Sequence, residues 1–538
     1  MSLHRHFALA ALLLLTPVAV AQADTKTDVA AGRALYLTGE REDGTRLTAI
    51  VQQDVALPGA GTACANCHRR SGLGTSEGSV RSLPITAAAL FRAPLSKGAR
   101  PAYDDMTLRR AITQGVSANG AALDPTMPRY ALTDQDAHAL IAYLRGLGST
   151  APPGVSGDTI ELATVISDSA PPERRDAVLK VIERYVEIKN SGTRREGARA
   201  AAARRHPLGE KRDRAFRRWN LTVWQLKGPP ATWDAQLRRY YAARAPFALL
   251  SGITDHDWRV VHGFCERVQM PCILPVTETP GDSSAFYSLY FSSGAALEAS
   301  VTARHIQRTP DEPAARVMLL YTDNERASTA RMALRAALDE QGMQMPVEHA
   351  FPSGTAPTYR QWQDLLGRER PDVLIAWLEP SQLHALASAA ISAELMPRRI
   401  YTAESISPWR SVASLAAIRS RVWHVYPYRV PVAGRSQFPR EQAWLKAQGL
   451  EALERETASR ALFACHALGE GLMSIDNNFS REYLLEQLEH MLDGTAMTTL
   501  YPATHLGAGQ RVLSRGAYVT RLGGPTGAAA LDPEWLVP

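Results

Sequence analysis

The sequence predicts a multidomain protein in which an all-α domain is followed by a two-lobed α/β domain. Three observations carry that expectation. Between Asp24 and Gly148 the chain reads as short amphipathic stretches separated by Gly- and Pro-rich loops, around one compact cysteine–histidine motif. From Ile160 onward, short apolar runs alternate with amphipathic stretches, the pattern of repeated β-α-β units and a parallel sheet. With 538 residues, the chain is also too long for one hydrophobic core. The expected boundaries are a leader over 1–23, the helical domain over 24–148, a linker over 149–157 and the α/β domain over 158–538.

The first element is the basic start Met1-Ser2-Leu3-His4-Arg5-His6, followed by an apolar run from Phe7 to Val20 and the small-residue stretch Ala21-Gln22-Ala23. That order is the pattern of a secretory signal peptide cleaved before Asp24. No later stretch approaches about 18 consecutive apolar residues, the length a membrane helix needs. The mature protein is therefore expected to be exported, to a periplasm, with no transmembrane segment once the signal is removed. Five cysteines suit such an oxidising compartment. The net charge of +6 is small for this length, and nucleic acid is not an expected partner outside the cytoplasm.

The helical domain is expected to contain helices over 27–37, with Ala30, Ala34 and Leu35 on one face, and over 107–112. A third starts at Thr133 or Asp134, good N-cap residues, and places Ala137, Leu140, Ile141 and Leu144 at helical spacing. Between the first two lies Cys64-Ala65-Asn66-Cys67-His68. Two thiols at this spacing can each add to one vinyl group of a porphyrin, and the histidine after them sits beneath the iron. A zinc site would need a second close Cys/His pair, and none follows. Cys465-His466 lacks the upstream thiol, so a single covalent haem c is expected. Met127 is the candidate for the sixth iron position: flanking Pro125 and Pro128 stiffen its loop, and 59 residues separate it from His68. Met106 is the weaker competitor and His138 is read as a surface residue. Arg81 and Arg129 are candidate partners of haem propionates.

On these residues the segment resembles a class I c-type cytochrome. The likeness extends to the closing helix, with Ala139-Leu140-Ile141-Ala142-Tyr143-Leu144, and to Gly32-Arg33-Ala34-Leu35-Tyr36, where a small residue lets the first helix cross the last one closely. The resemblance implies that Cys64 and Cys67 anchor the haem, with His68 proximal and Met127 distal. It implies one-electron transfer without substrate turnover, because no iron position is open. A haem peroxidase, which needs an open position or a second haem, ranks last.

After the linker, strands are expected over 160–166, 221–226, 247–250, 272–276, 317–321, 373–378, 399–402 and 422–426. Helices are expected over 175–188, 233–243, 329–341 and 382–391. Cys265 and Cys272 bracket six residues between a helix and a strand and are expected to close a small disulfide loop. Cys465 lies in an apolar helical run and is read as a buried thiol.

Together with Tyr501-Pro502-Ala503-Thr504 and Gly516-Ala517-Tyr518-Val519 as closing strands, this pattern resembles a periplasmic binding protein of type I, in its branched-chain amino-acid-binding branch. The resemblance implies a small ligand held between two lobes by loops at the carboxyl ends of strands. Ser251, Thr254, Thr277, Tyr321 and Glu379 occupy such loops, and their hydroxyls and carboxylate suit an amino-acid-like ligand. Residues 191–218 hold ten basic and three acidic side chains, a docking patch for an acidic partner or an anionic membrane surface. The leading functional expectation is an exported cytochrome that exchanges electrons with a periplasmic redox partner protein. The α/β domain then serves docking or sensing. The alternative is a small-molecule receptor with a redox-responsive haem domain.

Overall fold

The computed structural model describes residues 16–538, apart from 53, 58, 78–79, 94–99, 204–216, 310–314, 390–391, 393, 431–438, 494–499, 508 and 522–532. Two units divide the chain: Met1–Pro152 with Asn478–Tyr483, and Pro153–Asn477 with Leu484–Pro538. Residues 1–15 of the leader and residues 204–216 of the basic stretch fall outside what can be described.

The first unit begins with α1 (Thr16–Thr38), β1 (Thr48–Val51), β2 (Val55–Leu57) and α2 (Ala65–His68). It continues through β3 (Ser76–Glu77), β4 (Val80–Arg81), α3 (Ala87–Phe91), α4 (Asp105–Gln114), β5 (Arg129–Ala131) and α5 (Asp134–Gly146). Helix α1 runs without a break through Ala21-Gln22-Ala23. It crosses α5 at Gly32, where any Cβ would overlap the Ala139 carbonyl. Helices α4 and α5 each begin with a reciprocal capping box, Asp104 with Thr107 and Thr133 with Asp136.

An all-α domain was expected here, and the unit departs from that. Strands β2, β1 and β5 form an antiparallel sheet, with Ala49 opposite Tyr130 and Ile50 opposite Ala56. The cause is a period of two: Leu47 and Ala49 are buried, while Thr48 and Ile50 face out.

The second unit opens with β6 (Thr159–Ser167), α6 (Pro172–Ala203), β7 (Arg218–Leu226), α7 (Trp233–Ala243) and β8 (Ala248–Leu250). Next come α8 (Arg259–Arg267), β9 (Cys272–Ile273), β10 (Ser288–Ser292), α9 (Ala295–Arg308), β11 (Val317–Asp323) and α10 (Glu325–Glu340). They are followed by β12 (Val347–Pro352), α11 (Tyr359–Glu369), β13 (Val373–Trp377), α12 (Pro380–Ser388), β14 (Arg399–Ala403) and α13 (Trp409–Ala413). The chain ends with β15 (Val422–Tyr426), α14 (Pro439–Ala447), α15 (Arg455–Ser474), α16 (Arg481–Leu492), β16 (Val512–Ser514), β17 (Ala517–Arg521) and β18 (Glu534–Leu536).

These strands make two sheets, one per lobe. The first, in the order β16-β10-β9-β8-β6-β7, is parallel throughout. The second, β12-β11-β13-β14-β15-β17-β18, is parallel up to β15 and antiparallel after it. Alternation along its central strands feeds two cores. Leu319, Ile375 and Tyr401 pack on one face with α9 and α10, and Met318, Leu374 and Ile400 on the other with α11 and α12.

Three further expectations differ from the structure. The strand expected over 272–276 stops at Ile273, and Val276 makes only a single bridge to Ile253. Tyr501–Thr504 is not a strand; β16, β17 and β18 close the sheets instead. Cys265 and Cys272 are not joined in a disulfide. They enter the same apolar cluster from α8 and β9 and are buried there as thiols, so packing holds both ends of the turn without a covalent link. Cys465 is a buried thiol in α15, and burial raises its pKa.

Candidate functional site

Helix α2 is a single turn, so Cys64, Cys67 and His68 stand at i, i+3 and i+4 on one face. The turn is closed by the His68 amide donating to the Cys64 carbonyl at 2.9 Å, and the Asn66 side-chain amide anchors it to the Ala60 carbonyl at 2.8 Å. The His68 ring is oriented from outside: Nδ1 lies 2.9 Å from the Leu83 carbonyl. A carbonyl only accepts, so Nδ1 carries the proton and Nε2 keeps its lone pair for a metal. Burial lowers the His68 pKa, which keeps the ring neutral and able to ligate.

Cys64, Cys67, His68, Arg81, Met127 and Tyr130 all line one cavity of about 480 Å³, whose other walls are mainly apolar side chains from α4, α5 and the loops around β1 and β4. That size is in the range of cofactor pockets, roughly 300–1,000 Å³. Burial pushes the Cys64 thiol up to about 11 against the pull of the Tyr130 hydroxyl beside it. The residues present fit a haem: two thiols for the vinyl groups, an imidazole with a free Nε2, a thioether, and apolar walls. Of the other candidates, Met106 is 76% exposed and His138 is a surface residue paired with Asp28 at 3.3 Å. Arg81 borders the cavity. The Arg129 guanidinium instead hydrogen-bonds the backbone carbonyls of Met127, Leu123 and Asp124.

In the second unit the five predicted ligand residues lie at strand ends, on two different sheets. Ser251 follows β8, is fully buried, and its hydroxyl has no partner among the described residues. Thr254 donates to the His256 carbonyl at 2.7 Å, and Thr277 accepts from the Thr279 amide at 3.1 Å. Tyr321 lies in β11 under the Arg331 guanidinium. Glu379 is committed locally: it caps α12 and accepts from Ser353 and from the Gly354 amide.

Residues 60–148 match the family model described as cytochrome c. This segment is a cytochrome c domain. Over 72% of its length the chain is similar to a fatty acid ABC transporter substrate-binding protein from Thermomonospora curvata, covering 95% of that chain at 14% identity with a TM-score of 0.51. It is similar over 71% to a branched-chain amino acid ABC transporter protein from Thermus thermophilus with bound valine, covering 97% of that chain at 11% identity with a TM-score of 0.50. At such identities the likeness is one of fold, that of the periplasmic binding proteins. No curated protein matches the chain. No helix among the described residues is long and apolar enough to cross a membrane.

The binding-protein-like unit holds a cluster that sequence reasoning missed. Glu278, just past β9, and Arg460, in α15, form an ion pair at 2.7 Å, with side chains 10% and 4% exposed. Burial works against a charged Glu278, but the Arg460 and Arg174 guanidinia outweigh it and hold its carboxyl below the usual range. The Arg460 guanidinium also faces the Tyr428 ring at 5.5 Å. Nearby, at the end of β14, Glu404 meets His424 Nε2 at 2.8 Å and accepts from the Trp409 amide, and Ser405 donates to Glu298 at 3.0 Å. Burial raises both carboxyls well above their ordinary values. Carboxyl ends of parallel strands are where such folds place ligands. Here part of that region is filled by the chain's own charges.

Proposed function

We propose that the cytochrome c domain holds one covalent haem, anchored through Cys64 and Cys67 with His68 and Met127 on the iron, and serves one-electron transfer with a redox partner protein. The haem supplies exchange between ferric and ferrous iron. The chain's residues exclude water, orient the His68 ring through the Leu83 carbonyl, and present the Met127 thioether. The observation that carries this reading is the gathering of both thiols, the oriented imidazole and the thioether around one apolar cavity. A soft sulfur ligand favours ferrous iron and leaves no position open for substrate, so the domain carries electrons rather than turning over a substrate. Residues 1–23 serve as the export signal, which places the protein in a periplasm, where an oxidising environment and covalent haem attachment are compatible.

The binding-protein-like unit supplies the surface against which a partner docks. A second reading, a receptor for a small amino-acid-like ligand, is favoured by the buried and unpartnered Ser251 hydroxyl at the end of β8. The two are separated experimentally. A reduced, exported sample with low-spin bands and a methionine–iron band supports electron transfer; carbon monoxide binding without denaturant refutes six-coordination. A thermal-shift screen of amino acids supports the receptor if any stabilises the second unit; a ligand at about 100 times its Kd adds roughly 2.7 kcal/mol.

A further inference from the structure

We propose that Arg129 is a positioning residue that clamps the Met127 loop and so keeps the thioether on the distal side of the haem site. The inference rests on the reading of Met127 as the distal ligand.

The loop Asp124-Pro125-Thr126-Met127-Pro128 is fixed from within only around Asp124: the Met127 amide donates to the Asp124 carbonyl at 3.1 Å, and the Thr126 amide and hydroxyl donate to the Asp124 carboxylate at 2.9 and 2.7 Å. Two of its five residues lack an N–H, which leaves few internal donors for its other carbonyls. The structure supplies others from outside. The Gln52 amide donates to the Pro125 carbonyl at 3.0 Å. Arg129 adds three bonds: Nη2 donates to the Leu123 carbonyl at 3.1 Å and to the Asp124 carbonyl at 3.3 Å, and Nη1 donates to the Met127 carbonyl. One planar fork thus spans the loop from the residue before it to the methionine itself, a geometry that a lysine ammonium does not reproduce.

Two features hold the fork in place. Arg129 begins β5, which pairs with β1 through Tyr130 and Ala49, so its backbone is pinned in the sheet. Its guanidinium lies against Gly115, the left-handed C-cap of α4, where any Cβ would overlap it. The Leu123 amide donates to the Gly115 carbonyl at 2.8 Å, which ties the start of the loop to the same point. The glycine therefore leaves space for the clamp as well as meeting the backbone requirement at φ 70°. Arg129 acts through Met127 and does not itself reach the iron.

The test uses the full-length haem-loaded protein and the variants Arg129→Met, Arg129→Lys and Met127→Ala. Haem content, far-ultraviolet circular dichroism, the methionine–iron absorption band and carbon monoxide binding to the ferrous form are measured. Arg129→Met is expected to load haem and fold as the parent does, to lose at least half of the methionine–iron band, and to bind carbon monoxide at least tenfold more tightly. Arg129→Lys is expected to fall between the two, and it carries the test if Arg129→Met does not load haem. Parental spectra and carbon monoxide affinity in both arginine variants, with the band lost in Met127→Ala, overturn the clamp alone. A band that survives in Met127→Ala overturns the ligand assignment beneath it.

Discussion

Removing the Glu278 carboxylate should destabilise the binding-protein-like unit far more than removing the whole ion pair. Glu278 and Arg460 are almost completely buried and 2.7 Å apart, so neither charge has bulk water to fall back on. Taking away one partner of such a pair costs about 3–5 kcal/mol, because the other charge is left uncompensated. Replacing both by apolar side chains of similar volume is often neutral or stabilising. Glu278→Ala is therefore expected to lose about 3–5 kcal/mol, aggravated by Arg174, which also faces the vacated position. Glu278→Leu combined with Arg460→Met is expected to recover most of that loss. Urea unfolding followed by tryptophan fluorescence is a clean assay, since all ten tryptophans lie in the second unit, while haem absorbance follows the first. A double variant no more stable than Glu278→Ala would refute the coupling.

Further outcomes follow from the same geometry. His305 is buried against the Tyr401 hydroxyl at 2.8 Å, and burial lowers its pKa to about 4. Between the unfolded value near 6.5 and that figure the unfolded chain binds the extra proton. Stability of the second unit is thus fully present above about pH 6.5 and falls as pH drops towards 4, by about 3 kcal/mol from this group; a flat urea midpoint over that window, in His305→Phe as in the parent, would contradict it. Gly32→Val should force α1 away from the Ala139 carbonyl and cost about 1–3 kcal/mol, read as a lower midpoint of the haem absorbance transition. Thiol titration of the haem-loaded protein in denaturant should count Cys265, Cys272 and Cys465 and no others, whereas a count of one would show a bridge between the first two.

Much of the helical domain was legible because its signals are local. Cys64, Cys67 and His68 lie within five residues, and one helical turn suffices to bring them to one face. Thr133 with Asp136 announces a helix start through hydrogen bonds that span three residues. The parallel strands were equally readable, since a strand buried on both faces must be a short continuous apolar run, as in Val373–Trp377. The β1–β5 sheet was missed because its alternation is short and its partner strand begins about 80 residues later. The strand expected at Tyr501–Thr504 failed because an apolar start alone does not specify a neighbour to pair with.

From its order of residues alone, this chain determined a haem attachment motif, a candidate thioether ligand, and the alternation that builds two parallel sheets, all properties of segments a few residues long. Tertiary structure decided the rest. It placed Arg129 on the carbonyls around Met127, where sequence had pointed it at propionates, and it brought together Glu278 and Arg460 from 182 residues apart. It also left Cys265 and Cys272 as separate thiols within one core. The physical reason is common to all three: periodicity records which face of an element is buried, but which charged or polar group meets another there depends on where distant segments return.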